Sequence, residues 1–176
     1  MTPISIQLAD RDHLPAIPAI ELAAAAMFSE ADLPVEIRYR VTEDEFLQQA
    51  QRDARLWVAL TGDRMPVGFA RAEILDGRAH LDEMDVLPDY RRQGIGTRLM
   101  HTIVDWARAG GFHVVTLVTF RHLPWNAPFY ERLGFVSMQA ADLGEEVRML
   151  MAAEGRAGID MRKRICMKLD LSQMRH

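Results

Sequence analysis

Along this chain the apolar residues change period several times, and each change marks an element. Ile4, Ile6 and Leu8 alternate with Ser5 and Gln7, which predicts a half-buried strand. Ile17, Ile20, Ala24 and Met27 or Phe28 then keep helical spacing. Asp12 is placed to cap that helix, although Pro15 and Pro18 crowd its first turns and push its start later. Residues 29–40 mix Glu30, Asp32 and Glu36 with Arg38, Tyr39 and Arg40, without clear periodicity. Thr42 and Glu45 have capping-box spacing for a short second helix ending near Gln51. Three strand-like runs follow, at 56–60, 67–75 and 78–87, separated by Thr61-Gly62-Asp63-Arg64 and by Asp76-Gly77. Turns of that kind predict an antiparallel meander.

Beyond the meander, Ile95, Leu99, Ile103 and Trp106 or Ala107 form one apolar stripe, ended by Gly110-Gly111. Residues 114–119 are rich in β-branched side chains and fit a buried strand. Asn126 is placed to cap a short helix with Pro128 in its first turn and Gly134 past its end, and Phe135 begins another strand. Asp142 and Glu145 repeat the capping-box spacing ahead of a helix carrying Leu143, Val147, Leu150 and Met151, and 164–171 closes as a last strand. No repeat, low-complexity tract or linker interrupts this order. The expectation is one α/β domain over residues 1–176.

Hydrophobic residues make up 49% of the 176 and charged ones 26%, enough to bury a sizeable core and to exclude a disordered chain. The net charge of -4 excludes a broad basic field for nucleic acid or anionic membrane, so any anion site must be built locally. The Met-Thr-Pro-Ile-Ser-Ile start lacks the features of a signal peptide, and no apolar run is long enough to cross a bilayer. Cys166, the single cysteine, lies between Ile165 and Met167 and reads as a buried, inert thiol. These features predict a reduced, cytoplasmic protein. No His, Cys, Asp and Glu set has metal-ligand spacing, so no metal is expected; His113 and His122 read as edge or loop residues.

Local anion chemistry is offered where the meander ends. Val86-Leu87-Pro88-Asp89-Tyr90-Arg91-Arg92-Gln93-Gly94-Ile95-Gly96-Thr97-Arg98-Leu99 joins a strand to a helix with glycines and arginines at the junction. Free backbone N–H groups and positive charge at a helix start hold phosphate oxygens. A Walker loop needs a lysine that Gly94-Ile95-Gly96-Thr97 lacks, and a dinucleotide fingerprint needs a third glycine where Leu99 stands. Arg91-Arg92-Gln93-Gly94-Ile95-Gly96 does fit the acyl-CoA pattern Arg/Gln-x-x-Gly-x-Gly/Ala at every position.

Two blocks, Leu81-Asp82-Glu83-Met84-Asp85-Val86-Leu87-Pro88 with the loop after it and Trp125-Asn126-Ala127-Pro128-Phe129-Tyr130-Glu131-Arg132-Leu133-Gly134-Phe135, resemble the GNAT superfamily of acyl-CoA-dependent N-acetyltransferases. The resemblance covers essentially the whole chain, and from Asp142 through Glu154, Gly158 and Arg164 to Met167 it is similar to a bacterial subgroup with a helix before the last strand. It implies a GNAT-like α/β fold with a mixed, mostly antiparallel sheet of about seven strands flanked by helices, in the order β-α-α-β-β-β-α-β-α-β-α-β. It also implies acetyl-CoA as co-substrate. Backbone N–H groups from Arg92 through Gln93, Gly94, Ile95 and Gly96 to Thr97 would hold the pyrophosphate, with Arg91 and Arg92 adding charge. The backbone at Met84 and Val86 would pair with the pantetheine amides. Asn126 matches a position that contacts the pantetheine arm, and capping the helix is an equal reading of it.

Tyr130 matches the family's general acid, a phenol of pKa about 10 that protonates the departing thiolate. For the base, strand alternation puts His80 and Asp82 on one face and Glu83 and Asp85 on the other. His80 and Asp82 fall where family members carry such groups, with Glu83 in reserve; solvated strand-face groups are the bland reading. The expected reaction is direct attack of a primary amine on the thioester, the alternative a non-catalytic acyl-CoA-binding module. A small-molecule amine and a protein amine both remain open as acceptor, and the resemblance admits a homodimer.

Overall fold

The structure, a computed structural model, describes residues 3–173. Its seven strands are β1 (Ser5–Leu8), β2 (Leu56–Leu60), β3 (Pro66–Leu75), β4 (Arg78–Val86), β5 (Val114–Phe120), β6 (Val136–Ser137) and β7 (Arg164–Asp170). Its helices are α1 (Ile17–Ala25), α2 (Val35–Arg38), α3 (Asp44–Arg52), α4 (Ile95–Ala109), α5 (Ala127–Arg132) and α6 (Glu145–Arg156), with short 3₁₀ turns between. The sheet order is β1-β2-β3-β4-β5-β7-β6. β4 and β5 run parallel, while β1–β2, β2–β3, β5–β7 and β6–β7 are antiparallel. The mixed, mostly antiparallel seven-stranded sheet flanked by helices is the predicted fold, and one-turn α2 is the element that residues 29–40 did not signal.

The described chain divides into two compact units. The first comprises residues 3–72 and Glu83–Ile103. Its core is Leu14, Ile17 and Ile20 with Leu47 and Ala50, packed with Leu56, Val58, Leu60 and Phe69 of the strands. β2 is buried along its whole length, as an interior strand should be. Leu8 does not join this core: it is 48% exposed, because β1 is an edge strand. The second unit comprises Glu73–Asp82 and residues 104–173. Here Val115 and Leu117 of β5 and Met167 and Leu169 of β7 are buried, and Phe135, although ahead of β6, is 2% exposed.

The helix ends differ from what local spacing predicts. Asp10, not Asp12, caps the first turn, and that turn is 3₁₀ and contains Pro15; α1 itself starts at Ile17, with Pro18 in its first turn. Thr42 does not cap α3, because its N–H and hydroxyl are donated to Glu21, at 2.9 and 2.5 Å. Asp142 does not cap α6. That service comes from Asp76, in a turn where Asp76 and Gly77 both have positive φ (51° and 68°). The Asp76 carboxylate accepts from the N–H groups of Glu146 (3.0 Å) and Val147 (3.1 Å), while Glu146 accepts from the Asp76 N–H. This is a capping box closed across 70 residues instead of three.

Candidate active site

In the first unit, β4 runs out through a 3₁₀ turn at Pro88–Tyr90 into the glycine-arginine loop. Arg92 and Gly94 have left-handed φ of 56° and 78°, and Gln93 between them does not. Such alternation turns successive N–H groups toward one side and makes an anion-binding concavity. α4 opens at Ile95, with Arg98 N–H closing on the Gly94 carbonyl at 3.0 Å, so the N–H groups of its first turn have no intrahelical acceptor. A Cβ at Gly94 would meet nothing within 4 Å; glycine is required there by φ, not by neighbouring atoms. Burial first, then the Arg92 charge, lowers the proton affinity of Arg91, which still stays cationic. Its guanidinium lies 3.1 Å from the Met27 sulfur of the segment after α1. Gln93 turns its side chain back to the Asp89 carbonyl (3.3 Å) and so offers the loop only its backbone.

Met84 and Val86 sit at the end of β4 beside Gly68 of β3. A Cβ at Gly68 would stand 2.9 Å from the Asp85 carbonyl oxygen, so this glycine permits a close approach of the two strands. Around the same strand end stands a polar group that sequence reasoning missed in part. Glu21 of α1 is 4% exposed and holds Thr42; the Thr42 hydroxyl lies 3.3 Å from Glu83, which pairs with Arg71 at 3.4 Å. Desolvation first, then the facing Glu21 carboxylate, pushes the Asp85 carboxyl up to about 7. The signal for Glu21 was available: it lies four residues after Ile17, on the stripe that α1 buries.

In the second unit, His80 is 1% exposed with Nδ1 2.8 Å from Thr116 Oγ1 of β5. Burial lowers its pKa to about 4, against the opposing pull of the Asp82 and Asp76 carboxylates, so the ring is neutral at pH 7. Asp82 is half-buried. Asn126 precedes α5, but its side chain makes no cap bond. Its amide nitrogen instead donates to Thr119 at 2.7 Å, and its Oδ1 is buried with no acceptor role filled among the described residues. Tyr130 of α5 is 7% exposed, its ring edge-on to Phe129 (centroids 5.1 Å apart) and Phe135 (5.7 Å). The structure thus groups Met84, Val86 and residues 91–97 in one unit and His80, Asp82, Asn126 and Tyr130 in the other.

Fold and loop together define an α/β protein of the mixed-sheet type with two left-handed residues, Arg92 and Gly94, just ahead of α4. The sequence profile described as the acetyltransferase (GNAT) family matches residues 21–135, and the chain belongs to that family. A probable N-acetyltransferase camello from Xenopus tropicalis is 34% identical over 112 residues, 63% of this chain and 48% of that protein. The peptidyl-lysine N-acetyltransferase YjaB of Salmonella typhimurium is 31% identical over 115 residues, 64% of this chain and 73% of that one. The chain spans about half the length of the Xenopus tropicalis relative. Among solved structures, the N-acetylglutamate synthase from Neisseria gonorrhoeae, complexed with coenzyme A and N-acetyl-glutamate, superposes with a TM-score of 0.75 at 18% identity, over 97% of this chain and 36% of that one. The ribosomal-protein-S18-alanine N-acetyltransferase of Escherichia coli gives 0.67 at 21% identity, over 99% and 97%. Among the described residues no cluster of His, Cys, Asp and Glu could hold a metal ion, and no helix is long and apolar enough to cross a membrane.

Proposed function

We propose that this chain acts, as one domain over residues 1–176, to transfer an acetyl group from acetyl-CoA to a primary amine by direct attack on the thioester. The observation that carries this reading is the loop: left-handed Arg92 and Gly94 turn backbone N–H groups outward at the start of α4, flanked by two arginines. That cradle suits a pyrophosphate. The orphaned Asn126 Oδ1 is a second point of fit, since a pantetheine amide N–H would satisfy it. Backbone groups at Met84 and Val86 are the proposed partners of the pantetheine strand.

Acetyl-CoA supplies the acyl group already activated as a thioester. The chain's own tasks are to hold it, to take a proton from the acceptor and to give one to the leaving thiolate. Tyr130 is the proposed acid, its phenol well matched to a thiolate. Asp82 and His80 are the proton acceptors that the family resemblance proposes; of these, Asp82 keeps solvent contact, while His80 at about pKa 4 is too weak a base to take much from an ammonium. The names of the relatives support an amine on a small molecule or on a protein as acceptor. The single cysteine, Cys166, forms no internal disulfide and is buried, which is compatible with a reducing, cytoplasmic setting.

The test is thiol release from acetyl-CoA with a panel of small amines, lysine peptides and free N-terminal peptides, with products weighed by mass spectrometry. The parent is expected to acetylate members of one group. Gly96→Glu, which puts a carboxylate in the cradle, is expected to lose cofactor binding in calorimetry while keeping the parent's circular dichroism. Tight acetyl-CoA binding with no product from any amine overturns the enzyme in favour of a binding module, and retained affinity in Gly96→Glu overturns the pyrophosphate assignment.

A further inference from the structure

One concavity in the first unit is lined by none of the residues at the candidate active site. It measures about 520 Å³, within the range of small-molecule sites, and lies between the 3₁₀ turn ahead of α1 and the turn joining β2 to β3. Asp12, His13 and Arg64 bring charge and hydrogen-bonding groups to it, and Pro15 and Pro66 give it stiff apolar walls. Both sides are held by their own hydrogen bonds. On one, Asp10 accepts from the Asp12 N–H at 3.0 Å, and His13 Nδ1 accepts from the Asp10 N–H at 3.1 Å. On the other, the Arg64 N–H donates to the Thr61 carbonyl (2.8 Å) and the Met65 N–H to the Thr61 hydroxyl (3.1 Å).

These bonds commit the backbone and leave three side-chain functions unused. The His13 residue is 5% exposed, and its Nδ1 also lies 3.0 Å from the Asp10 carboxylate. Nε2 therefore carries a proton in either charge state of the ring, and it bonds to no described residue. The Asp12 carboxylate and the Arg64 guanidinium bond to no described residue either, nor to each other. A cation, an anion and a buried N–H donor meeting at one cavity suit a ligand that carries both charges. An inorganic anion would face Asp12, and a metal ion would face Arg64. An α-amino acid answers all three groups: its carboxylate suits a guanidinium and an imidazole N–H, and its ammonium suits an aspartate.

We propose that this cavity binds a free apolar α-amino acid, with its carboxylate on Arg64 and His13 Nε2, its ammonium on Asp12 and its side chain against Pro15 and Pro66. The site is separate from the one that would hold acetyl-CoA and does not depend on acetyl transfer.

Calorimetry and amide and imidazole NMR on the full chain, without acetyl-CoA, test this with leucine, methionine and phenylalanine as probes. At least one should bind and move the signals of Asp12, Arg64 and His13 Nε2. Its amide lacks the carboxylate and its des-amino acid lacks the ammonium (leucinamide and isocaproate for leucine). Each should bind roughly 10-fold more weakly, or worse. Arg64→Asn, which tolerates the left-handed φ of 62° at that position, should weaken binding to the same degree, as should Asp12→Asn. Both residues are exposed, so the variants should keep the parent's circular dichroism. A derivative that binds as tightly as its amino acid overturns the two-charge ligand. Parent-like binding by both variants, or shifts confined to α5 and the Gly94 loop, overturns the location. No binding of any probe overturns the site altogether. With acetyl-CoA absent throughout, each of these outcomes stands whether or not the chain acetylates an amine.

Discussion

Tyr130, the proposed acid, packs its ring against two aromatic neighbours. Phe129 and Phe135 fix its ring edge-on from two sides, and α5 sets its backbone through the Asn126 carbonyl, which accepts the Tyr130 N–H at 3.1 Å. Tyr130→Phe keeps that packing and removes only the hydroxyl. It is expected to lower kcat by about 10²- to 10⁴-fold with little change in acetyl-CoA affinity, read by steady-state kinetics and calorimetry. An unchanged kcat removes Tyr130 as the acid. The two motif blocks were legible in the sequence because their residues and spacing match the family whose profile covers residues 21–135. Glu21 was harder, because its partner Thr42 is 21 positions away, and a single buried acid on an apolar stripe reads first as noise.

At the level of elements, the strands and long helices follow their hydrophobic periods closely, from β2 to β7. The ends do not. Two capping boxes read from Thr42-x-x-Glu45 and Asp142-x-x-Glu145 fail for one reason: a carboxylate distant in sequence outcompetes the local one. For α6 the substitution is tight. A Cβ at Gly144 would stand 2.0 Å from the Asp76 carboxyl carbon, so the glycine and the aspartate require each other. Asp76→Ala should therefore destabilise the protein by about 1–2 kcal/mol, the usual cost of a lost N-cap. Asp76→Ala with Gly144→Ala should be no worse than Asp76→Ala alone, since the clash is gone. Thermal melts of the single and double variants check both statements, and a parent-like Asp76→Ala refutes the long-range cap.

For the molecule as a whole, β4 carries two titrating groups whose effects on stability run in opposite directions. His80 falls from 6.5 to about 4 on folding, so the unfolded chain binds the extra proton and stability drops as pH falls from about 6.5 to 4. Asp85 rises from 3.8 to about 7, so the folded chain keeps a proton the unfolded one has lost, and stability drops as pH climbs from about 4 to 7. Over their shared window the two slopes oppose. Relative to the parent, Asp85→Asn should gain stability as pH rises from 5 toward 7 in urea midpoints. His80→Gln, measured the same way, should lose stability relative to the parent over that interval. Parallel curves for parent and variants would show that neither group changes its protonation on folding.

Residues 73–82 leave the first unit of the chain, which resumes at Glu83, so no single cut in the polypeptide separates one unit from the other. A break at the Gly110-Gly111 turn after α4 would leave β4 on one fragment, with Ala79, His80 and Leu81, and their β5 partners Val115, Thr116 and Leu117 on the other. Asp76 and the helix it caps would be parted in the same stroke. Two fragments cut there would each hold one half of a parallel strand pair and one half of a helix cap, and would regain both only by associating.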